Sequence, residues 1–305
     1  MAGMRLMPDP DLPAPLPQHP WCAAIWGDIG LRAEARMMPG GAGQVVLMRR
    51  RFGPLGDVVL ASRGPVWSGA ADSGARQQAL RSLARDGLRL VEAESADDAD
   101  DLRACGYARL VTPAHVAELA LTGGHAALLT RAFGKWRNRL QQARSAGLVV
   151  CHAQFDPVRH GWLTAAEAIQ RRTRRYHAWP LAFAQAWATR HPASAMVFWA
   201  ESGGVPVAGM LILRHGPVAT YHIGWSGTAG RRASAHHLIL MQAADWLADA
   251  GTRRLDLGAV DTEGAPGLAR FKIGTGARVR PLGGSWIRLF YCGTGINRPT
   301  SLKES

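Results

Sequence analysis

The chain has 305 residues, 47% of them hydrophobic, which is enough to bury a sizeable core, and the length favours two domains over one. No apolar run approaches the ~18 to 20 residues needed to cross a bilayer, and the opening Met1-Ala-Gly-Met-Arg-Leu-Met-Pro-Asp-Pro lacks the charged-then-apolar build of a signal peptide; a soluble cytoplasmic protein is expected. The net charge of +13 divides unevenly: through residue 125, 13 arginines face 14 acids, whereas beyond it 23 basic residues face 9 acids.

A basic second part of this kind implies a polyanion opposite it, such as RNA, a nucleotide diphosphate, a CoA tail or an anionic lipid surface. The four cysteines, at 22, 105, 151 and 292, are far apart and lack CxxC spacing, so neither a metal site nor disulfide stapling is expected.

The proline-rich start to about Pro17 reads as a flexible or surface arm. Apolar residues Ile25, Ile29 and Ala33 recur at helical spacing between Trp21 and about Arg36. Two strand-like runs follow, at 44–48 and 57–62, hinged by Gly53-Pro-Leu-Gly. A helix from about Ala75 to Asp86, a strand at 88–92, an acidic helix near Asp97 to Cys105 and a strand beginning at Tyr107 complete the first region. From Ala126 to Ala146 the pattern predicts one long amphipathic helix, with Leu129, Ala132, Phe133, Trp136, Leu140 and Ala143 on one face. A strand at 148–152 and helices at 161–175 and 181–191 come next. Runs at 195–201, 206–214 and 217–225, punctuated by Gly203-Gly204 and Gly216-Pro217, imply consecutive hairpins and hence an antiparallel sheet. A helix from about Arg231 to Ala250, a strand at 254–257, a short helix at 266–272 and two closing strands finish the chain.

This second half follows the element order of a GNAT fold, and the first half is a shorter version of it. The fold class is thus α/β of the α+β type: two GNAT-like domains, each a mixed, mostly antiparallel sheet flanked by helices. Boundaries are expected at 18–125 for a degenerate first domain and 126–292 for a basic catalytic one, with a tail at 293–305.

Four segments carry a family resemblance. Arg253-Arg-Leu-Asp-Leu-Gly-Ala-Val-Asp followed by Gly267-Leu-Ala-Arg-Phe-Lys-Ile-Gly-Thr-Gly-Ala resembles the signature of the Fem family, aminoacyltransferases that extend peptidoglycan bridge peptides. Asp256, Gly258, Phe271, Lys272 and Gly274 match it; Ala259, Thr275 and Ala277 depart from it. Ser62-Arg-Gly-Pro-Val resembles the family's first-domain Arg-Gly-Pro turn, and Lys135-Trp-Arg-Asn-Arg-Leu-Gln-Gln-Ala its basic helix. Thr173-Arg-Arg-Tyr-His resembles its Thr-x-x-Arg loop, with the arginine one residue early. The resemblance spans roughly residues 18 to 290. It implies transfer of an activated aminoacyl group from charged tRNA to an amine of a peptide or small molecule, with acyl-CoA as the alternative donor and co-substrate and no tightly bound cofactor. A non-catalytic module that binds RNA or an anionic surface is the reading from a different class.

Amide formation from an activated ester needs a neutral amine, a group for the tetrahedral oxyanion and a proton path. The resemblance implies that Lys272 steadies the developing charge and that Phe271 packs near the donor's terminal base or adenine. Asp256, between Leu255 and Leu257, faces away from the core; it is either a base or an ion-pair partner of Arg253 or Arg254, with Asp261 and Glu263 as neighbouring acids. Gly227-Thr-Ala-Gly-Arg-Arg-Ala-Ser sits where a GNAT pyrophosphate loop belongs, with Gly227 and Gly230 for close approach, Arg231 and Arg232 for phosphate and Ser234 at the helix start. His236 and His237 open that helix. Arg63, Arg174, Tyr176, Tyr221 and Trp225 are the candidates for the acceptor pocket, and the run Arg171 to Arg175 for a phosphate backbone.

Overall fold

The computed structural model describes residues 8–51 and 56–289. The turn expected at Gly53-Pro54-Leu55 and the tail at 293–305 lie outside the described residues. In chain order the elements are α1 (Trp21–Asp28), β1 (Arg32–Met37), β2 (Gly43–Arg51), β3 (Asp57–Ala61), β4 (Val66–Trp67), α2 (Ser73–Arg85), β5 (Leu88–Ala93), α3 (Ala99–Ala104), β6 (Ala108–Val111) and β7 (His115–Ala120). There follow α4 (Gly124–Arg131), α5 (Gly134–Arg144), β8 (Val149–Gln154), α6 (Gly161–Arg174), α7 (Leu181–Arg190), β9 (Ala195–Ser202), β10 (Val205–His215) and β11 (Val218–Ser226). The last are α8 (Thr228–Arg232), α9 (Ala235–Asp249), β12 (Arg254–Val260), α10 (Pro266–Gly274), β13 (Arg278–Pro281) and β14 (Gly284–Ile287).

The strands form two mixed sheets, β1-β2-β3-β5-β14-β6, with β4 paired to β2, and β13-β7-β12-β11-β10-β9-β8. Each sheet has one parallel pair, β3 with β5 and β11 with β12, and each such pair is bridged by a crossover through helix, α2 or α9. The two halves exchange strands. β7, which follows the first sheet's strands in sequence, inserts between β12 and β13, while β14 at the far end returns to insert between β5 and β6. A boundary at 125/126 therefore divides neither sheet from the other: β7 lies before it and serves the second sheet, and β14 lies after it and serves the first.

Three apolar clusters hold the layers. α2 and α3 cover the first sheet, with Leu80 and Leu83 of α2 and Leu102 of α3 in one cluster with Leu88 of β5. α5 and α9 cover one face of the second sheet through Trp136, Leu140, Ile239, Leu240 and Leu247. The third joins the halves, with Ile25 and Trp26 of α1 packed with Val46 and Met48 of β2 and with Phe183, Trp187, Val197 and Leu211 around the second sheet's other face. Burying aromatic and aliphatic side chains of this size contributes roughly 1.5 to 3 kcal/mol each.

Four expectations change. The helix expected from Trp21 to Arg36 stops at Asp28, because Gly30 turns the backbone at φ 81° and the remainder pairs as β1. The long helix expected from Ala126 to Ala146 is two helices. Ala132 and Phe133 are extended, the Phe133 N–H leaves the helical ladder for the Gly274 carbonyl at 2.8 Å, and the Phe133 side chain is 57% exposed rather than on the core face. The helix expected from Arg231 to Ala250 also divides, since Ser234 adopts φ 54° between α8 and α9. In the arm, Asp9 to Asp11 and Pro13 lie at the surface while Ala14 and Leu16 are buried, and buried Gln44 clamps Asp9 by accepting its N–H at 2.8 Å and donating to its carbonyl at 3.1 Å.

Candidate active site

β11 and β12 run side by side only from Val218–Arg254 to Thr220–Asp256. Each then bulges away from its other neighbour. On β11 the register against β10 shifts around His222, and on β12 the register against β7 shifts around Leu257. Bulges re-aim side chains and end pairing, so the second sheet splits just past Thr220 and Asp256. Gly258 lines the split at φ 77°, a conformation that suits glycine, and donates its N–H to Asp256 Oδ1 at 2.7 Å.

Lys272, from the last turn of α10, reaches this place. Only 5% exposed, it donates from Nζ to the Ala259 carbonyl at 2.7 Å. Burial pulls its ammonium down to about 8 from an ordinary 10.5, while the Asp256 carboxylate works to raise it. α10 is fixed from behind. Trp136 fits against Gly274, where a Cβ would sit 2.8 Å from Trp136 Cδ1, and Thr275 Oγ1 donates to the Lys272 carbonyl at 2.6 Å. Thr275, a departure from the family signature, thus serves as a buried clasp on the lysine's own backbone.

Asp256 pairs with neither Arg253 nor Arg254. Its partner is Arg63, at 2.5 Å across the gap between the sheets. Arg63 sits at φ 52° in the turn after β3 and also grips Glu94 at 2.8 and 3.0 Å. Burial works against its charge, but the two carboxylates push its pKa further up. Arg280 joins Glu94 to Glu118, donating to the Glu94 carbonyl at 2.8 Å, to its carboxylate, and to Glu118 Oε1 at 2.8 Å. Arg254 stands 3.7 Å from Glu118. The guanidinium of Arg63 is thereby committed to structure, and Asp256 enters the site as an anchored carboxylate. Glu94, Glu118 and Arg280 carried no signal in the sequence beyond their charge, because their partners lie up to 186 residues away.

The β11 side is aromatic. The Tyr221 hydroxyl lies 3.4 Å from His236 Nε2, and burial, with Tyr176 nearby, pushes its pKa up. Tyr176 donates to buried Glu167 at 3.1 Å, and Gln170 bridges Tyr176 and the Gly224 carbonyl at 3.2 Å each. Phe271 packs edge-on against His236 and His237, with ring centroids 5.9 and 5.1 Å apart. Burial holds both imidazoles at about 4, aided at His236 by His237 and at His237 by Arg139 against the Ser234 carbonyl, so both are neutral at pH 7. Lys272 and Asp256 thus stand at the β12 side of the split and Tyr221 on its β11 side, with Phe271 linked to Tyr221 through His236 and Tyr176 near Tyr221. Trp225 packs on Trp162 farther along β11. Arg174 is exposed at the end of α6 and makes no ion pair among the described residues. Asp261 caps its own turn through the Glu263 and Gly264 N–H groups.

In the loop from Gly227 to Ser234 the sequence features are largely used internally. A Cβ on Gly230 would lie 2.3 Å from the Val207 carbonyl, and one on Gly227 would lie 3.1 Å from Trp225. Arg231 folds back onto the Ser226 carbonyl, Ser234 Oγ donates to Gln142 at 3.1 Å, and Gln142 donates to the Arg232 carbonyl at 3.1 Å. Among the described residues no cluster of three or more His, Cys, Asp or Glu side chains is arranged to hold a metal ion, and no helix is long and apolar enough to cross a membrane.

Residues 130–272, which contain the split, α9 and Lys272, match the family model described as an acetyltransferase (GNAT) domain. The chain carries a GNAT acyltransferase domain in a Fem-like fold. The crystal structure of FemX is similar over 90% of this chain and 92% of its own, with a TM-score of 0.72 at 13% identity. The C-terminal domain of a putative lysylphosphatidylglycerol synthetase from Agrobacterium fabrum is similar over 88% of each chain, with a TM-score of 0.59 at 14% identity. The structure of L-PGS from Bacillus licheniformis is similar over 88% of this chain and 86% of its own, with a TM-score of 0.56 at 13% identity. No curated protein matches the chain by sequence. Both halves of the Fem-like fold are therefore present, and the GNAT domain is the half with the split sheet and the basic excess.

Proposed function

We propose that the protein transfers an aminoacyl group from charged tRNA to the amine of a peptide or small molecule. The observation that carries this is the buried Lys272 ammonium beside the β11–β12 split, held against Ala259 and within the field of Asp256. A neutral acceptor amine attacks the ester carbonyl. The C–N bond forms and the bond to the ribose oxygen breaks, while the amine's proton leaves for that oxygen. Lys272 has N–H groups beyond the one given to Ala259 with which to meet the oxyanion, and the low-dielectric surroundings strengthen that interaction. Phe271, neutral His236 and Tyr221 offer uncharged aromatic surroundings for the terminal base and ester. The exposed arginines of α5 and of the run 171–175 supply the field for a polynucleotide.

Acyl-CoA is the second reading, favoured by the position of the loop before α9. Against it, the two glycines and Ser234 of that loop are explained by their packing. Incubating the purified protein with a mixture of charged tRNAs, or with acetyl-CoA, and a panel of amines separates the two. Amino-acid release from tRNA should depend on protein and fall about 10²- to 10³-fold in Lys272→Met. Lys272-dependent consumption of acetyl-CoA with charged tRNA untouched would replace the proposal with the second reading.

A further inference from the structure

A sizeable cavity among the described residues lies away from the split, toward the opposite end of the same strands. It encloses about 850 Å³ and is walled by separate segments: Asp11 and Pro13, Trp21 of α1, His191 to Ser194 after α7, the turn at Gly216-Pro217, and Arg253-Arg254 at the start of β12. From Arg254, at its rim, to Ala259, whose carbonyl holds the Lys272 ammonium, is five residues of β12, at most about 17 Å at ~3.3 Å per residue. A ligand here is therefore not the reacting ester.

The walls are held in place. The Pro10 carbonyl accepts from buried His19 Nε2 at 3.0 Å, and it crosses so close to Gly216 that a Cβ there would stand 2.4 Å away. Trp21 and His191 are stacked at 3.7 Å with a 10° tilt. The lining is cationic, since Arg214, Arg253 and Arg254 face one carboxylate, Asp11. Arg214 gives one N–H to the Ala250 carbonyl at 3.1 Å, and Arg254 has only the 3.7 Å approach to Glu118. Neither Arg214 nor Arg253 makes an ion pair among the described residues. Arg214 also lies over the Trp246 ring, 5.6 Å from its centroid, but it has no carboxylate partner among the described residues; three arginines lining one concavity, none of them closely ion-paired, call for an anion of more than one charge. The stacked Trp21–His191 pair in the lining suits a ring, and the volume falls in the range of about 300 to 1,000 Å³ typical of small-molecule sites.

We infer that this cavity is a second ligand site, taking a nucleoside phosphate with its phosphate on Arg214 and Arg253 and its base toward Trp21 and His191. The probe is AMP, compared by calorimetry with adenosine and inorganic phosphate. AMP should bind more tightly than either fragment. Arg253→Ala, at an exposed position, should weaken AMP by about tenfold, consistent with one charge-assisted contact, and Arg214→Ala should weaken it similarly. Lys272→Met should bind AMP as the wild type does, which separates this site from the proposed reaction centre. AMP binding that is no tighter than inorganic phosphate, that ignores both arginine substitutions, or that is lost in Lys272→Met would overturn the inference. Arg253→Ala must melt as the wild type does; if Arg214→Ala does not, Arg253→Ala alone decides.

Discussion

Lys272 is caught between burial, which disfavours its charge, and Asp256, which favours it, and the outcome near 8 gives the site a pH signature. In the proposed role the ammonium is the active form, so transfer should be supported below about pH 8 and decline as pH rises through that value. Ionisation of the acceptor amine adds an opposing rise on the acid side. The pH–rate profile should therefore lose its alkaline limb in Lys272→Met along with most of its rate; an unchanged limb would assign it to another group. Stability has the opposite sign. The folded pKa lies below the unfolded one, so between about 8 and 10.5 the unfolded chain binds more protons and the fold gains stability as pH rises. At pH 7 the burial cost is fully present, and Lys272→Met should raise the melting temperature, by an equivalent of about 1 to 3 kcal/mol. Lys272 was legible because lysine is scarce in this chain and its neighbours Phe271 and Gly274 match a known pattern. Arg63 was legible only as part of a turn. Its partner Asp256 is 193 residues away, and no local rule connects them.

Segments fared according to how local their causes are. β9, β10 and β11 follow from short apolar runs bounded by glycine turns, signals within a few residues of each other. The break between α4 and α5 has no Pro or Gly pair to announce it; its cause is the Phe133 N–H bonding to Gly274, a tertiary contact. β7 likewise lacks a sequence signature strong enough to separate it from β6, and its neighbours in the sheet come from the far end of the chain. The loop between β11 and α9 offers a direct test. Gly230 has ordinary backbone angles but no room, so Gly230→Ala should cost about 1 to 3 kcal/mol by overpacking against Val207. A denaturant midpoint checks this. If the variant instead kept full stability and lost donor affinity, the glycine would be serving a ligand. For α6, replacing exposed Arg172 and Arg174 with glutamine should leave folding intact and flatten the dependence of log K on log salt for tRNA by about 0.7 to 0.9 per lost phosphate contact. An unchanged slope would place the polynucleotide elsewhere.

Over the whole molecule, the two halves are joined three ways: by exchanged strands, by the shared cluster around α1, and by the ion pairs from Arg63 through Glu94 and Arg280 to Glu118. Element order suggested two related halves but not their interlocking, because strand exchange leaves each strand's local pattern unchanged. Neither half owns a complete sheet, so unfolding should be a single calorimetric transition even though the chain is long enough for two. Arg63→Met tests the charged part of this joint. It leaves Asp256, 1% exposed, as a buried carboxylate whose remaining hydrogen bond is the Gly258 N–H and whose remaining nearby cation is Lys272, and breaking a buried pair typically costs about 3 to 5 kcal/mol. Asp256→Asn keeps the shape and removes the charge, so adding it to Arg63→Met should recover part of that loss, and the double-mutant cycle should report a coupling well above 1 kcal/mol. The melting transition should move down without splitting, since the exchanged strands remain. Two separated transitions in Arg63→Met would mean that the ion pairs, and not β7 and β14, make the molecule cooperative.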